Sequence, residues 1–225
     1  LILSFMTFLM ILIGGLTRLT DSGLSMVDWK PLMGFLPPLT EDKWLISFAN
    51  YKKSPEFIIV NKSMNLEQFK YIYMWEWFHR FFARCIGIVL IFPMLFFLFH
   101  KRISNTLFKN LLILFIFGIF QALVGWWMVK SGLSNDPYVS QYRLAFHLSN
   151  AIIILSILVW ITLNSWIGSS KNFLPKDRME MIFFFHLFLL FLTIISGAFM
   201  AGTNSGLSFN TYPLMNGNFI PDDYF

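Results

Sequence analysis

Five long apolar runs, separated by polar segments, constrain what this chain can fold into more than any other feature. They cover roughly residues 1–17, 71–99, 107–129, 144–167 and 181–201. An α-helix rises about 1.5 Å per residue and a bilayer core is about 30 Å thick, so each run is suited to crossing a membrane, although the first is short. The sequence therefore predicts an all-α, polytopic membrane protein with the lipid bilayer as a partner.

The composition supports this class of protein. Of the 225 residues, 56% are hydrophobic and 13% are charged, and the mean hydropathy is +0.63. A soluble domain has about 25% charged residues. The net charge of +5 comes largely from loops, so it indicates membrane topology and no nucleic-acid partner. The single cysteine, Cys85, excludes an intrachain disulfide.

The short loops predict which ends of the helices face the cytoplasm. Positive charges follow the second and fourth runs, at Lys101, Arg102, Lys109, Lys171, Lys176 and Arg178. Cytoplasmic loops are enriched in Lys and Arg, so both loops are predicted to be cytoplasmic. The long segment 18–70, the loop after the third run and the tail after the fifth are then predicted to lie on the outer side.

A short polar motif occurs three times, each time directly after an apolar run. The copies are TDSGLS at Thr20–Ser25, SGLS at Ser131–Ser134 and TNSGLS at Thr203–Ser208. The first and third belong to longer matching stretches, GGLTRLTDSGLSMVDWKPLMG from Gly14 and GAFMAGTNSGLSFNTYPLMNG from Gly197. This match predicts an internal repeat of two pseudo-symmetric halves. A generic Ser/Gly signal that ends a helix is the alternative.

The repeat divides the chain into two parts. Residues 1–170 are predicted to form a four-helix transmembrane half with a long outer loop at 18–70. Residues 171–225 are predicted to start a second half, with the fifth helix and an outer segment. We expect about three further helices beyond Phe225, and a natural N-terminus upstream of Leu1, because the chain opens inside an apolar run.

Ionisable side chains within a membrane span are costly and usually functional. The second run carries Glu76, His79, Arg80 and Arg84, within YMWEWFHRFFARCIG. At about 100° per residue, Glu76 lies roughly 60° from His79 and about 40° from Arg80, so the three share one helix face. Small residues follow on that side and leave room for a flat, bulky group. A simple i,i+4 pair of Glu76 with Arg80 is the structural alternative.

A second histidine, His147, lies near the outer end of the fourth run, in RLAFHLSNA. His79 is at matching depth on its own predicted helix, and two imidazoles can bind one heme iron from both faces. A hydrogen-bonded packing role is the alternative for each histidine. Zinc is disfavoured, because no further ligand occurs at that depth. The stripe with Gln121 and Gly125 in GIFQALVG is interpreted as a helix-packing seam.

These motifs together resemble a known family. GGLTRLTDSGLS, EWFHR, QALVGWWMVKSGL, HLSNA and the GAFMAG and NTYPLM segments look like heme A synthase. The similarity extends over essentially the whole chain. It is greatest to the alphaproteobacterial and mitochondrial branch, since the long outer loop lacks a cysteine pair. TNSG at Thr203–Gly206 differs from the Leu-Asp-Ala-Gly that is usual in the family.

The resemblance implies an eight-helix protein of the bacterial or mitochondrial inner membrane, built from two four-helix bundles. The implied reaction oxidises the C8 methyl group of heme O, the substrate, to a formyl group, which yields heme A for terminal oxidases. The implied cofactor is heme b, with second-half ligands beyond Phe225. By motif, His79 and His147 would ligate iron in the first half and Glu76 would be the catalytic acid. Arg80 and Arg84 are candidates for binding heme propionates.

The implied partners are heme O synthase and the assembly of a terminal oxidase, and a homo-oligomer is left open. Two other function classes remain open at this point. One is a di-heme b-type electron carrier, in which Glu76 has no catalytic task. The other is a non-enzymatic heme transporter, which the internal repeat and the polar helix face suggest.

Overall fold

The computed structural model describes residues 1–28, 34–134, 136–168, 175–208, 211 and 213–220. Lys171, residues 29–33 of the first long repeat stretch, residues 209, 210 and 212 of the second and the end of the tail lie outside the described residues. Within them the chain forms eight α-helices and no β-strand, which confirms the all-α prediction. The helices are α1 (Ile2–Leu19), α2 (Glu41–Tyr51), α3 (Pro55–Ile59), α4 (Leu66–Phe99), α5 (Asn105–Gly132), α6 (Gln141–Ile167), α7 (Arg178–Thr203) and α8 (Ser205–Ser208).

Five of these helices, α1, α4, α5, α6 and α7, are long and apolar enough to cross a membrane. They coincide with the five predicted runs, so the prediction of a multi-pass membrane protein is confirmed. Several begin a few residues before the apolar run, because polar residues cap their first turns. At α4, the Asn65 side chain accepts from the Gln68 backbone nitrogen at 2.9 Å, and the Gln68 side chain accepts from the Asn65 backbone nitrogen at 3.0 Å. This capping box starts the helix at Leu66.

The first four spanning helices form a closed ring. Helix α1 packs against α4 and α6, and α5 also packs against α4 and α6, so α4 and α6 occupy diagonal positions. Helix α7 packs mainly against α6. This arrangement agrees with the predicted four-helix bundle followed by one further helix. The division into two pseudo-symmetric halves stays a prediction.

Glycines allow the spans to approach closely, as is common in membranes where lipid is as apolar as the side chains. A Cβ atom placed on Gly202 of α7 would lie 2.6 Å from the Cβ of Gln141 in α6. A Cβ on Gly132 at the end of α5 would lie 2.7 Å from Leu24 Cδ1. Larger residues at these positions would therefore push neighbouring elements apart.

The segment between α1 and α4 has a small core of its own, which we call the α2–α4 cluster: Phe48, Tyr51, Phe69 and Ile72. The rings of Phe48 and Tyr51 stack on Phe69, with centroid distances of 5.0 and 5.1 Å. The sequence analysis treated this region as a loop and assigned no helix to it. Helix α2 packs through these aromatic side chains onto the beginning of α4, and α3 adds the ring of Phe57, whose centroid lies 5.9 Å from that of Phe48 and 5.7 Å from that of Tyr51.

The structure brings all three copies of the SGLS motif to one end of the bundle, the SGLS end. Leu24 of the first copy contacts Gly132 of the second. Arg18, at the end of α1, reaches the third region: its Nη2 donates to the Ala201 carbonyl at 2.9 Å and to Asn204 Oδ1 at 3.1 Å. Helices α1, α5 and α7 therefore end side by side.

The first and third copies end their helices with the same hydrogen bonds. Thr20 Oγ1 donates to the Leu16 carbonyl at 2.9 Å, and Thr203 Oγ1 donates to the Phe199 carbonyl at 2.9 Å. The residue after each threonine has a left-handed backbone, with φ of 47° at Asp21 and 54° at the asparagine of the third copy. A shared helix-ending geometry thus accompanies the shared sequence.

The two copies diverge immediately afterwards. In the first copy, Ser22 and Ser25 are buried, at 0% and 2% exposure, and the chain turns towards α4. In the third copy, the residues form the short helix α8 and are largely exposed. Of these two copies, only the first therefore places both its serines inside the bundle.

Candidate functional site

Glu76 is buried on α4, at 2% exposure, and accepts hydrogen bonds at both carboxylate oxygens. Its Oε2 accepts from Ser25 Oγ and from the Met26 backbone nitrogen, both at 2.7 Å. Its Oε1 accepts from Arg80 Nη2 in an i,i+4 ion pair. Arg80 Nη2 also donates to the Met26 carbonyl at 3.3 Å. The first SGLS copy is thereby joined to α4 through the carboxylate of Glu76.

This arrangement shows which residues hold Glu76 in place. A buried carboxylate is tolerated only when charge and hydrogen bonds compensate for its lost hydration. The i,i+4 pair considered from the sequence forms, and two further donors come from a turn about 50 residues earlier in the chain. The contribution of Ser25 and Met26 was not predicted, since no local spacing indicates it.

His79 lies one helical turn after Glu76 and is half-buried. It faces α1, where a Cβ atom on Gly14 would lie 3.3 Å from His79 Nε2. Glycine at position 14 therefore gives the imidazole room to lie close to the α1 backbone. The same GGLTRLTDSGLS stretch thus contacts Glu76 through its turn and His79 through its helix.

His147, on α6, lies against α5. A Cβ atom on Gly125 would lie only 2.9 Å from His147 Cε1, so the imidazole rests directly on the α5 backbone. Its Nε2 is 3.3 Å from Gln121 Nε2, and the same amide nitrogen donates to the His147 carbonyl at 3.1 Å. His147 Nδ1 is buried and has no hydrogen-bond partner among the described residues.

A third residue completes this polar network. Asn150, one turn after His147 and 5% exposed, donates from Nδ2 to Gln121 Oε1 at 2.7 Å. The sequence analysis interpreted Gln121 and Gly125 as a packing seam. They do join α5 to α6, but the residue that they contact is His147 itself. The i,i+4 spacing of Gln121 and Gly125 was the available signal.

The predicted site residues are only partly brought into contact. Glu76 and Arg80 touch, whereas His79 and His147 lie on the diagonal helices α4 and α6. Arg84 lies one turn after Arg80 and is half-buried. The other two histidines are exposed, and each contacts a carbonyl of its own helix: His100 Nδ1 with Phe96 at 2.8 Å and His186 Nδ1 with Ile182 at 2.8 Å.

The donor set fits an iron porphyrin better than a bare metal ion. Among the described residues, no group of three His, Cys, Asp or Glu side chains could hold a metal ion. A porphyrin supplies four of its own ligands and needs only axial residues, for which histidine is common. The contact of His147 Nε2 with Gln121 Nε2 is long, at 3.3 Å, so this nitrogen can bind iron, and positions Gly87 and Gly118 on α4 and α5 have open space beside them. These features suit a flat ligand with imidazole ligation.

The fold and the site define a class of protein: a multi-pass helical membrane protein whose bundle carries two intramembrane histidines on diagonal helices. Residues 1–225 match the COX15-CtaA family, described as cytochrome oxidase assembly protein. The chain belongs to this family, which confirms the resemblance noted from its motifs.

Curated relatives give the same family. The chain is 46% identical over 220 residues to a heme A synthase of Parvibaculum lavamentivorans, covering 98% of the chain and 63% of that protein. It is 43% identical over 223 residues to a heme A synthase of Nitrosospira multiformis, covering 98% and 62%. For a heme A synthase of Wolbachia pipientis the identity is 41% over 222 residues, covering 99% and 67%.

The chain therefore spans a little over three fifths of the length of the first two relatives. No solved structure matches the chain.

Proposed function

We propose that this protein is a heme A synthase, an oxidoreductase that converts the C8 methyl group of heme O to a formyl group. The observation that carries the proposal is the pair His79 and His147 on diagonal helices, each resting on a glycine of a neighbouring helix. The relatives named heme A synthase support the same assignment. The product, heme A, would serve a terminal oxidase.

In this half of the protein, His79 and His147 would hold the iron of a heme group. The heme, when bound, supplies the redox chemistry that no side chain can provide. Heme O is the proposed substrate. Heme b is the proposed resident cofactor, with its ligands in a second half beyond Phe225. The propionates would be met by Arg80 and Arg84, because a guanidinium has five N–H donors and Arg80 can hold Glu76 through Nη2 while offering others.

Glu76 is the proposed proton acceptor. Its donors occupy three of about four acceptor sites, two on Oε2 and one on Oε1, so a proton can be accepted on Oε2 only if one of the two donors there withdraws. Ser25 can do so at low cost, because its Oγ also lies 3.1 Å from the Ser22 carbonyl and 3.4 Å from the Ile72 carbonyl. The proton would then reside on Glu76 Oε2, while Arg80 continues to hold Oε1.

The proposed location is a bacterial or mitochondrial inner membrane, with the SGLS end on the outer side. The charges of the loops at the opposite end support this orientation, because Lys101, Arg102 and Lys176 are there. The proposed partners are a heme O synthase, which supplies the substrate, and the assembly of the terminal oxidase that receives the product.

The proposal is tested with the full-length protein in a strain without its own heme A synthase. We expect the wild-type protein to restore heme A. Glu76→Gln should lower heme A per folded protein by about 10²–10⁴-fold, which is typical for loss of a general base. Glu56→Gln is the matched control, because it changes a buried acid of the α3 helix outside the spans.

Extracted hemes and the yield of folded protein are measured in the same cells. A wild-type protein that binds heme but forms no heme A would contradict the synthase proposal and favour an electron carrier. Normal heme A per folded protein in Glu76→Gln would contradict the catalytic role of Glu76 alone.

A further inference from the structure

The contacts of Gln121 allow the orientation of its side-chain amide to be assigned. One amide atom lies 3.1 Å from the His147 backbone oxygen. A carbonyl oxygen only accepts hydrogen bonds, so the adjacent amide atom must be the nitrogen. The other amide atom, the oxygen, then accepts from Asn150 Nδ2 at 2.7 Å. The contact with the backbone oxygen fixes this orientation, and the contact with Asn150 is compatible with it.

This orientation in turn assigns the tautomer of His147. The Gln121 side-chain nitrogen lies 3.3 Å from His147 Nε2 and has a second hydrogen to donate to it. Because an amide nitrogen donates and does not accept, Nε2 must be the ring nitrogen with the free lone pair. The ring proton is then on Nδ1, the atom that is buried beside Gly125 without a partner.

We propose that Gln121 caps His147 in the iron-free protein. Its amide nitrogen covers the lone pair of Nε2 and selects the tautomer in which that lone pair is available to iron. This proposal depends on the proposed function in one respect: it takes His147 to be a heme ligand. Gln121 is a positioning residue, since it acts through His147.

The geometry indicates how the cap is released. The contact with His147 Nε2 is the longest of the three made by Gln121, so it is the weakest. Gln121 can give it up while keeping its bonds to the His147 carbonyl and to Asn150. Nδ1 offers no alternative route for iron, because it is buried against α5.

Two variants at position 121 have opposite expected effects on heme loading. Gln121→Leu removes the donor that competes for Nε2, and should tighten heme binding at the His147 site by about two- to tenfold, as one ordinary hydrogen bond would give. Gln121→Glu has the same shape but accepts hydrogen bonds, so His147 must turn a protonated Nε2 towards it. That variant should weaken heme binding by about 10–100-fold.

The loading experiment uses full-length protein purified from heme-deficient cells and titrated with hemin. The His147→Ala protein defines the signal from any other heme site. Ser149→Ala is the control on α6, because it removes only an intrahelical bond to the Ala145 carbonyl at 2.7 Å. Weaker hemin binding in both Gln121 variants would overturn the cap and leave a purely structural role.

A second readout does not depend on heme. In the iron-free protein labelled with nitrogen-15 histidine, the resonance that disappears in His147→Ala should show a proton on Nδ1. Gln121→Leu should yield a mixture of tautomers. A proton on Nε2 in the wild-type protein would overturn the cap. Unchanged heme content in His147→Ala would instead contradict the proposed ligand, whatever the tautomer.

Discussion

Two corners of the helix ring each bury a candidate functional side chain, and they differ in how far its polar atoms are hydrogen-bonded. At the α1–α4 corner, Glu76 is surrounded by three donors from its own chain. At the α5–α6 corner, one nitrogen of His147 has a weak contact and the other has none among the described residues. The donors at the first corner are provided by the protein itself, whereas at the second corner His147 Nε2 makes only a long contact and can bind a ligand instead.

The difference indicates what each corner contributes. A fully bonded buried ion pair is expensive to break but adds little binding capacity. An unpartnered buried nitrogen costs stability in the iron-free protein. We therefore expect substitutions at the α1–α4 corner to affect folding most, and those at the α5–α6 corner to affect heme binding most.

The largest expected effect is at Glu76. Glu76→Ala leaves Arg80 and two other donors without their acceptor, and should cost about 3–5 kcal/mol of stability, as loss of one partner of a buried pair does. His147→Ala should cost only about 1–2 kcal/mol, because Gln121 keeps its other bonds. Unfolding in mixed detergent micelles measures both. Equal losses would remove the contrast between the corners.

The acid Glu56, in the short helix α3, provides a second contrast with Glu76. It is 7% exposed, and the only donor to its carboxylate among the described contacts is the Tyr51 hydroxyl, at 2.9 Å. The pKa of Glu56 is raised to about 7, mainly by burial; the hydrogen bond from Tyr51 opposes this rise, and the negative charges of Glu76 and Asp21 add to it. The pKa of Tyr51 is itself raised by burial, so its hydroxyl stays protonated and continues to donate.

The raised pKa of Glu56 therefore predicts the direction in which stability changes with pH. The folded chain binds this proton more tightly than the unfolded chain, whose carboxyl has the ordinary pKa of 4.5. The stabilisation is complete below that pH and is lost as the pH rises through about 7. Glu56→Gln stays neutral, so at pH 8 it should be more stable than the wild type by about 3 kcal/mol.

Melting curves of the two proteins at pH 5 and pH 8 check this. The difference between them should fall to about 1 kcal/mol at pH 5, because that pH is only slightly above the unfolded pKa of 4.5. A gap of the same size at both pH values would mean that Glu56 does not titrate in this range.

The smallest expected effect uses the repeated motif as its own control. Ser25 and Ser134 occupy the same position in two SGLS copies, and each donates to the carbonyl three residues earlier at 3.1 Å. Only Ser25 also donates to Glu76. Ser25→Ala should cost about 2 kcal/mol, as loss of a bond to a charged group does, and Ser134→Ala should change stability by less than about 0.5 kcal/mol. Similar costs would show that the bond to Glu76 contributes little.

The spanning helices could be predicted because their signal is local. Length and hydropathy indicate a membrane helix without knowledge of any other part of the chain. The i,i+4 pair of Glu76 and Arg80 was also considered from spacing alone, and it forms. Helices α2 and α3 carry no such signal: they are short, and the aromatic contacts that hold them, such as Phe48 on Phe69, join distant parts of the sequence.

The partners of the candidate site were missed for the same reason. Ser25 lies 51 residues before Glu76, and Gln121 lies 26 residues before His147. Helical periodicity describes neighbours within one helix, so it cannot indicate these contacts. The repeated SGLS motif marked the right places, but its sequence did not indicate that only the first copy would be buried against a carboxylate.

The bridge made by Arg18 has a consequence for the order of events during synthesis. Arg18 Nη1 pairs with Asp21 Oδ1 at 2.8 Å, three residues away, whereas the Asn204 that it also bonds is made 186 residues later. At about 5–20 residues per second, roughly 10–40 s separate the two on the ribosome. The Asp21 carboxylate can hold the guanidinium at the membrane surface through that interval. The charge of Arg18 is therefore neutralised before α7 is synthesised, and Asn204 of α7 adds its hydrogen bond afterwards.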